Sequence, residues 1–182
     1  MDNQKRCSWC NLNNERYVRY HDEEWGVPLH DDQKLYELLI LETFQAGLSW
    51  ECVLNKRENF RIAFDRFEID RVLAYDEIKK QELMNDPTII RNRLKINATV
   101  KNSIVFQAIQ KEFGSFDRYI WSFTNNQVIK EPFTERTTSP LSDAISKDLK
   151  RRGMTFVGST IIYSFLQAIG VINGHAKDCA FL

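Results

Sequence analysis

The run LLILETFQAGLSWE, residues 38–51, restricts this chain more than any other stretch. Asp31 and Asp32 stand where a helix N-cap belongs, and the spacing predicts a helix over 33–46. On it Leu35, Leu38 and Leu39 share a face, while Ile40 and Leu41 leave little side for water near its end. A helix apolar nearly all round belongs inside. Glu42 falls on the same face, and an unpartnered ionised carboxylate is expensive to bury. Either Glu42 reaches water or a nearby arginine, or an apolar pocket holds it ready for a cationic or hydrogen-donating ligand.

The 182 residues suffice for one domain with a real core or for two small lobes. Lys plus Arg equals Asp plus Glu at 25 each, so no global basic footprint points to nucleic acid, although local patches remain open. No stretch is long and apolar enough to span a membrane. The polar start, MDNQKRCSWC, is not a signal peptide. Four cysteines in such a chain read as reduced thiols, with metal binding as their special use, and point to a cytoplasmic protein.

Most of the sequence reads as helix, and strand signals are weak throughout. The predicted class is all-α. After 33–46, a helix is expected over 49–64 with Ser49 as its cap, then starts at Asp70 and Asp76. Asn85–Asp86–Pro87 breaks the pattern. A long helix follows from about Ile90 to Phe113, stopping at Gly114, and a short one covers 116–123. Residues 124–140 form the longest irregular piece. A helix starting at Ser142 or Asp143 ends at Arg152–Gly153, and the last runs from Ser159 to Gly170.

Ligand-type residues gather at both ends. Cys7 and His21 lie near the N-terminus, and His175 and Cys179 form H-x3-C near the C-terminus. Together they would make a closed Cys2His2 zinc site stapling the termini. Spacing alone also admits Cys10 through C-S-W-C, or four unrelated side chains. Trp9, Tyr17, Tyr20, Trp25 and Trp50 are either core or a box for a flat cation beside Glu42. Arg91, Arg93 and Lys95 in IIRNRLKI, and Lys147, Lys150, Arg151 and Arg152, are either solvated helix faces or phosphate contacts.

YHDEEWGVP (20–28), QAGLSWECVLNKRENFR (45–61) and KRRGMTFVGSTIIYSFLQAIGVINGH (150–175), with RCSW at 6–9, resemble the DNA-3-methyladenine glycosylase I family nearly end to end. The stretch 65–145 matches more loosely. The resemblance implies one all-α, helix-hairpin-helix unit over 1–182 that hydrolyses the N-glycosidic bond of 3-methyladenine in alkylated double-stranded DNA. It implies one structural zinc on Cys7, His21, His175 and Cys179, leaving Cys10 and His30 aside. It makes Glu42 the base-recognising carboxylate, Trp50 the stacking ring, and Tyr17 and Tyr20 pocket residues, with Trp9 and Trp25 completing the wall.

Gly47 and Leu48 are candidates for filling the gap left by a flipped base, unless QAGLSW is a plain helix–helix turn. Arg91 and Arg93 would contact DNA from the hairpin. A monomer is the default. Four positions depart from the family pattern: Pro87 and Leu94 stand near expected hairpin glycines, and Thr43–Phe44 follow Glu42 with the potential to reshape the pocket floor. No lysine nucleophile, and so no strand cleavage, is expected. The competing readings are a module that binds damaged bases without cleaving them, and a zinc hydrolase.

Overall fold

The computed structural model describes residues 4–131 and 134–182. Asn14 opens α1 (Glu15–Glu23) by accepting from the Arg16 and Tyr17 amides. α2 (Asp32–Gln45) is the hub: Asp31 caps it, accepting from Lys34 N at 2.8 Å, and every residue from Leu35 to Phe44 is buried. Its apolar circumference demands neighbours on several sides, and the helices at Ser159–Ala168, Arg93–Phe113, Phe116–Ser122 and Trp50–Leu54 supply them. α3 (Trp50–Leu54) and α4 (Arg57–Ala63) follow, then a 3-10 turn at Asp65–Phe67, α5 (Ile69–Leu73) and α6 (Glu77–Asn85).

α7 (Arg93–Phe113) is the long strut, capped by Asn92, which accepts from Lys95 N. α8 (Phe116–Ser122), α9 (Pro140–Arg152) and α10 (Ser159–Ala168) complete the helices. Two two-residue strands, β1 (Ile129–Lys130) and β2 (Ile172–Asn173), pair in parallel and tie the 124–131 segment to the tail. The core is rich in rings: Phe44 meets Phe60 at 4.8 Å, and Phe106 stacks on Phe116 at 4.1 Å. Gly170, at φ +72°, lets the α10 end touch the 27–28 backbone, where a Cβ would come within 2.2 Å of the Val27 carbonyl carbon.

The expected all-α class holds, and several boundaries move. The single helix over 49–64 is two. At Asn55 the backbone carbonyl is taken by Arg16 and the side chain by Asn14, while Lys56 leaves helical geometry and reaches the Thr88 carbonyl. The break turns Arg57 toward Glu37. α5 begins at Ile69 behind Glu68, before Asp70, because a left-handed run at residues 65–67 delivers the chain there. The start expected near Ile90 falls at Arg93, since Ile89 is buried in the turn. α9 starts at Pro140 rather than at Ser142 or Asp143: Ser139 and Ser142 form a reciprocal capping box. α1 had not been anticipated.

Candidate active site

α1 presents Tyr17 and Tyr20, one turn apart, to the C-terminal end of α2. Ser49 caps α3 and so sets Trp50 at its first position. These three rings, Trp9, Trp25 and Glu42 enclose a cavity of about 140 Å³. Tyr20 and Trp50 lie 5.3 Å apart at 47°, and Trp9 meets Trp25 edge-on at 4.7 Å and Tyr17 at 5.4 Å. All six expected pocket residues are therefore together. Gln45, Ser164 and Gln167 join them and were missed. Gln45 was within reach, three residues after Glu42 on the same helix face; Ser164 and Gln167 come from α10, which no local pattern links to Glu42.

Four buried polar atoms of this wall lack partners. Among the described residues, Trp9 Nε1, Glu42 Oε2, Gln45 Oε1 and Trp50 Nε1 are buried without a hydrogen bond. Such atoms are rare in folded proteins, and four in one cavity mark a place that expects a ligand. Glu42 is 2% exposed, and burial holds its carboxyl well above the usual carboxylate range. Tyr20 is pushed far above its ordinary value by burial and by the Glu42 charge, so its hydroxyl stays protonated. Burial also raises Tyr17, to about 12. Thr43 and Phe44 do not line the cavity: Thr43 Oγ1 donates back to Ile40 O, and Phe44 faces Phe60. The expected change to the pocket floor therefore does not arise from them.

Cys7, His21 and Cys179 bring their ligand atoms within 4.8 Å of one another, all buried. The His175 ring stands edge-on 5.0 Å from His21, and its buried Nε2 has no partner. Both imidazoles are held from behind. His21 Nδ1 meets Asp22 at 2.7 Å, with Arg6 holding that carboxylate, and His175 Nδ1 meets Asn173 at 2.9 Å. That turns Nε2 of each toward the cysteines, with His21 Nε2 3.3 Å from Cys7 N and 3.6 Å from Cys179 Sγ, as metal-binding histidines are held through their other ring nitrogen. Burial raises the Cys7 thiol to about 12 without an ion, and burial followed by the His21 charge lowers His175. The donor set fits zinc. Cys10 stays outside it, its Sγ 3.9 Å from Tyr17 O, and the exposed His30 pairs with Asp117 on another face. Trp25 joins cluster and cavity, 4.6 Å edge-on to His175.

Gly47 and Leu48 occupy the exposed turn between α2 and α3, with Leu48 42% exposed. Arg91 and Arg93 are exposed at the tip between α6 and α7, where Asp86 accepts from Thr88 N at 2.8 Å and closes the turn around Pro87. Leu94 beside them is 70% exposed.

Residues 9–182 match the family model described as methyladenine glycosylase. The chain is 43% identical to DNA-3-methyladenine glycosylase 1 of Escherichia coli strain K12 over 179 residues, 96% of this chain and 95% of that protein. A crystal structure of a 3-methyladenine DNA glycosylase I superposes with a TM-score of 0.92 at 42% identity, covering 97% of this chain and 98% of the other. The Staphylococcus aureus enzyme, solved to explain its 3-methyladenine recognition, gives 0.92 at 33% identity, with 98% and 97% covered. An orphaned carboxylate in a box of rings, on a fold shared end to end with these proteins, has one reading: the chain belongs to the methyladenine glycosylase family.

Proposed function

We propose that this chain removes 3-methyladenine from alkylated double-stranded DNA, releasing the free base and leaving an abasic site, the first step of base-excision repair. The observation that carries this is Glu42, buried with one oxygen unpartnered in an aromatic cavity. Methylation at N3 makes the adenine cationic and weakens its bond to the sugar. The C1′–N9 bond breaks with its electron pair going to the base, which leaves neutral, and water adds to the oxocarbenium carbon and loses a proton. The leaving group therefore needs no general acid, and the site's task is selection. A damaged, poorly paired base flips out cheaply. Trp50 and Tyr20 stack on it, and Glu42 accepts from its exocyclic amine and favours the cation.

The step is read as hydrolytic, without strand cleavage: among the described residues the cavity lining holds no lysine, and the buried Lys95 donates to backbone carbonyls. Arg91 and Arg93 would grip phosphate from a helix-hairpin-helix element, α6 to α7, while Gly47 and Leu48 would enter the gap left by the flipped base. One structural zinc on Cys7, His21, His175 and Cys179 would staple the termini and brace Trp25. With four protein ligands it would leave no position for water. The reading takes the chain as a monomer acting as one unit over 1–182, with pocket lining and Cys–His cluster drawn from the same chain. The free cysteines accord with a reducing cytoplasm, and among the described residues no helix is long and apolar enough to cross a membrane.

Purified protein incubated with N-methylated duplex DNA should release 3-methyladenine but not 7-methylguanine, with strands intact until alkali. Binding without release would replace the enzyme by a reader of damaged bases. For the metal, Cys179→Ser should lose zinc and melting temperature together; a variant fully folded without zinc would end the stapling idea.

A further inference from the structure

Among the described residues, Lys95 is the one lysine in the buried polar set, 5% exposed near the start of α7. Burying an ammonium is costly, and burial lowers its pKa. Its Nζ donates to Phe44 O at 2.8 Å and to Ala46 O at 2.6 Å. Those carbonyls belong to the end of α2, where the helix cannot satisfy its last acceptors and its dipole favours a cation. Gln45 O, between them, accepts from Leu48 N at 2.6 Å. Gly47 follows at φ +80° with open space around it, so the turn is held by these bonds and, at its far end, by the Ser49 cap, whose Oγ accepts from Cys52 N at 3.2 Å. The same ammonium lies 6.0 Å from the centre of the Phe156 ring, in a loop that Asn102 of α7 grips through Thr155 N and O.

Two surfaces therefore meet at one side chain. Directly N-terminal to Lys95 are Arg91, Arg93 and Leu94, all exposed. Directly beyond its acceptors is the exposed turn carrying Leu48, and on the same stretch Gln45 and Glu42 face the cavity. We infer that Lys95 is a positioning residue that locks the Arg91–Leu94 tip to the Ala46–Ser49 turn, so that contact with the DNA backbone and extrusion of the damaged base occur as one movement. This rests on the glycosylase reading above. Lys95 touches neither base nor sugar in this scheme. It fixes the distance between the groups that hold the duplex and the groups that replace and receive the base.

The consequence is selective. A lesion in single-stranded DNA needs no extrusion from a paired stack, and free base needs no DNA contact at all. Lys95→Met keeps the apolar stem and removes the donors. The assays are excision of 3-methyladenine from a duplex, excision from a single strand with the same lesion, and binding of free 3-methyladenine followed by tryptophan fluorescence. The expected result is a loss of about 10-fold or more in kcat/KM on duplex, appearing mainly in KM, against about 3-fold or less for single strand and free base. Lys95→Arg, which keeps charge and donors, should recover most of the duplex activity. Should Lys95→Met not fold, Lys95→Gln offers donors on a shorter stem and should show the same ordering of losses.

Equal losses on all three substrates would make Lys95 a plain stabiliser of the pocket and overturn the proposal, as would no loss on any. A wild type that binds free 3-methyladenine yet excises nothing from either DNA would instead overturn the glycosylase reading on which the proposal stands.

Discussion

Glu37 and Glu42 lie five residues apart on α2, 7% and 2% exposed, in opposite surroundings. Glu37 accepts from Arg57 Nε at 2.6 Å and from Arg61 at 2.8–3.1 Å, and Arg57 is shared with Glu24 at 2.7 Å. Glu42 has an oxygen with no partner and rings on the far side of a small cavity. A groove of about 580 Å³ opens beside Arg57 and Arg61, far larger than the 140 Å³ cavity at Glu42. Size alone would select the groove. Arg19, Arg57 and Arg61 of the groove already have carboxylates and Arg16 a backbone carbonyl, whereas the small cavity holds buried polar atoms with nothing to bond. A site is better recognised by what it leaves unsatisfied than by how much space it encloses.

The largest expected effect is at the satisfied glutamate. Glu37→Leu leaves Arg57 with Glu24 alone and Arg61 with Glu58 alone, and should cost about 2–4 kcal/mol of unfolding free energy, read from urea titrations. Binding of free 3-methyladenine by the folded fraction should stay near wild type. Lost binding at unchanged stability would erase the distinction between the two carboxylates.

At Glu42 the two effects reverse. Glu42→Gln removes a charge-assisted acceptor and should slow excision by about 10- to 100-fold, equivalent to roughly 1.5–3 kcal/mol. It should also stabilise the ligand-free protein at neutral pH. Because the folded carboxyl titrates above its unfolded value, its stabilising contribution is full below the unfolded pKa of about 4.3 and fades as pH rises through the folded one. The stability difference between variant and wild type should therefore grow from pH 4 upward. A destabilised Glu42→Gln protein would mean that this carboxylate has a partner after all.

Trp50→Ala should weaken the hold on free 3-methyladenine by about 1–3 kcal/mol, the usual worth of a base stacked on a ring, with little change in the pH dependence of excision. The smallest expected change is in that dependence itself. In wild type, kcat/KM should fall on the acid side as Glu42 takes up a proton and the cationic base loses its counter-charge. The fall should sit above the usual carboxylate range and be absent from Glu42→Gln.

The contrast was half legible in the sequence. Glu42 stands in an apolar helix, and Trp9, Tyr20, Trp25 and Trp50 lie in RCSW, YHDEEWGVP and QAGLSW, with Tyr17 one helical turn before Tyr20. Caps at Asp31, Ser49 and Asp76 announced helices that the structure contains, because capping is decided within a few residues. Asn14 and the spacing of Tyr17, Tyr20 and His21 carried the signal for α1, which went unread beside their aromatic character.

What pairs Glu37 with Arg57 and Arg61 depends on a helix break at residues 55–56, itself fixed by Asn14, Arg16 and Thr88 from distant parts of the chain. Ser164 and Gln167 reach the cavity only through the packing of α10 on α2. Strands of two residues, as at 129–130 and 172–173, carry no periodicity to read. Local chemistry was visible; partners brought together by packing were not.

The most direct test of the account is the release of bases from N-methylated duplex DNA by wild type and Glu42→Gln, followed across pH. The account predicts release of 3-methyladenine by wild type with an acid-side fall above the ordinary carboxylate range, and a slower variant, by about 10- to 100-fold, without that fall. A variant as fast as wild type at every pH would contradict it, because the unpartnered carboxylate would then have no part in taking the damaged base.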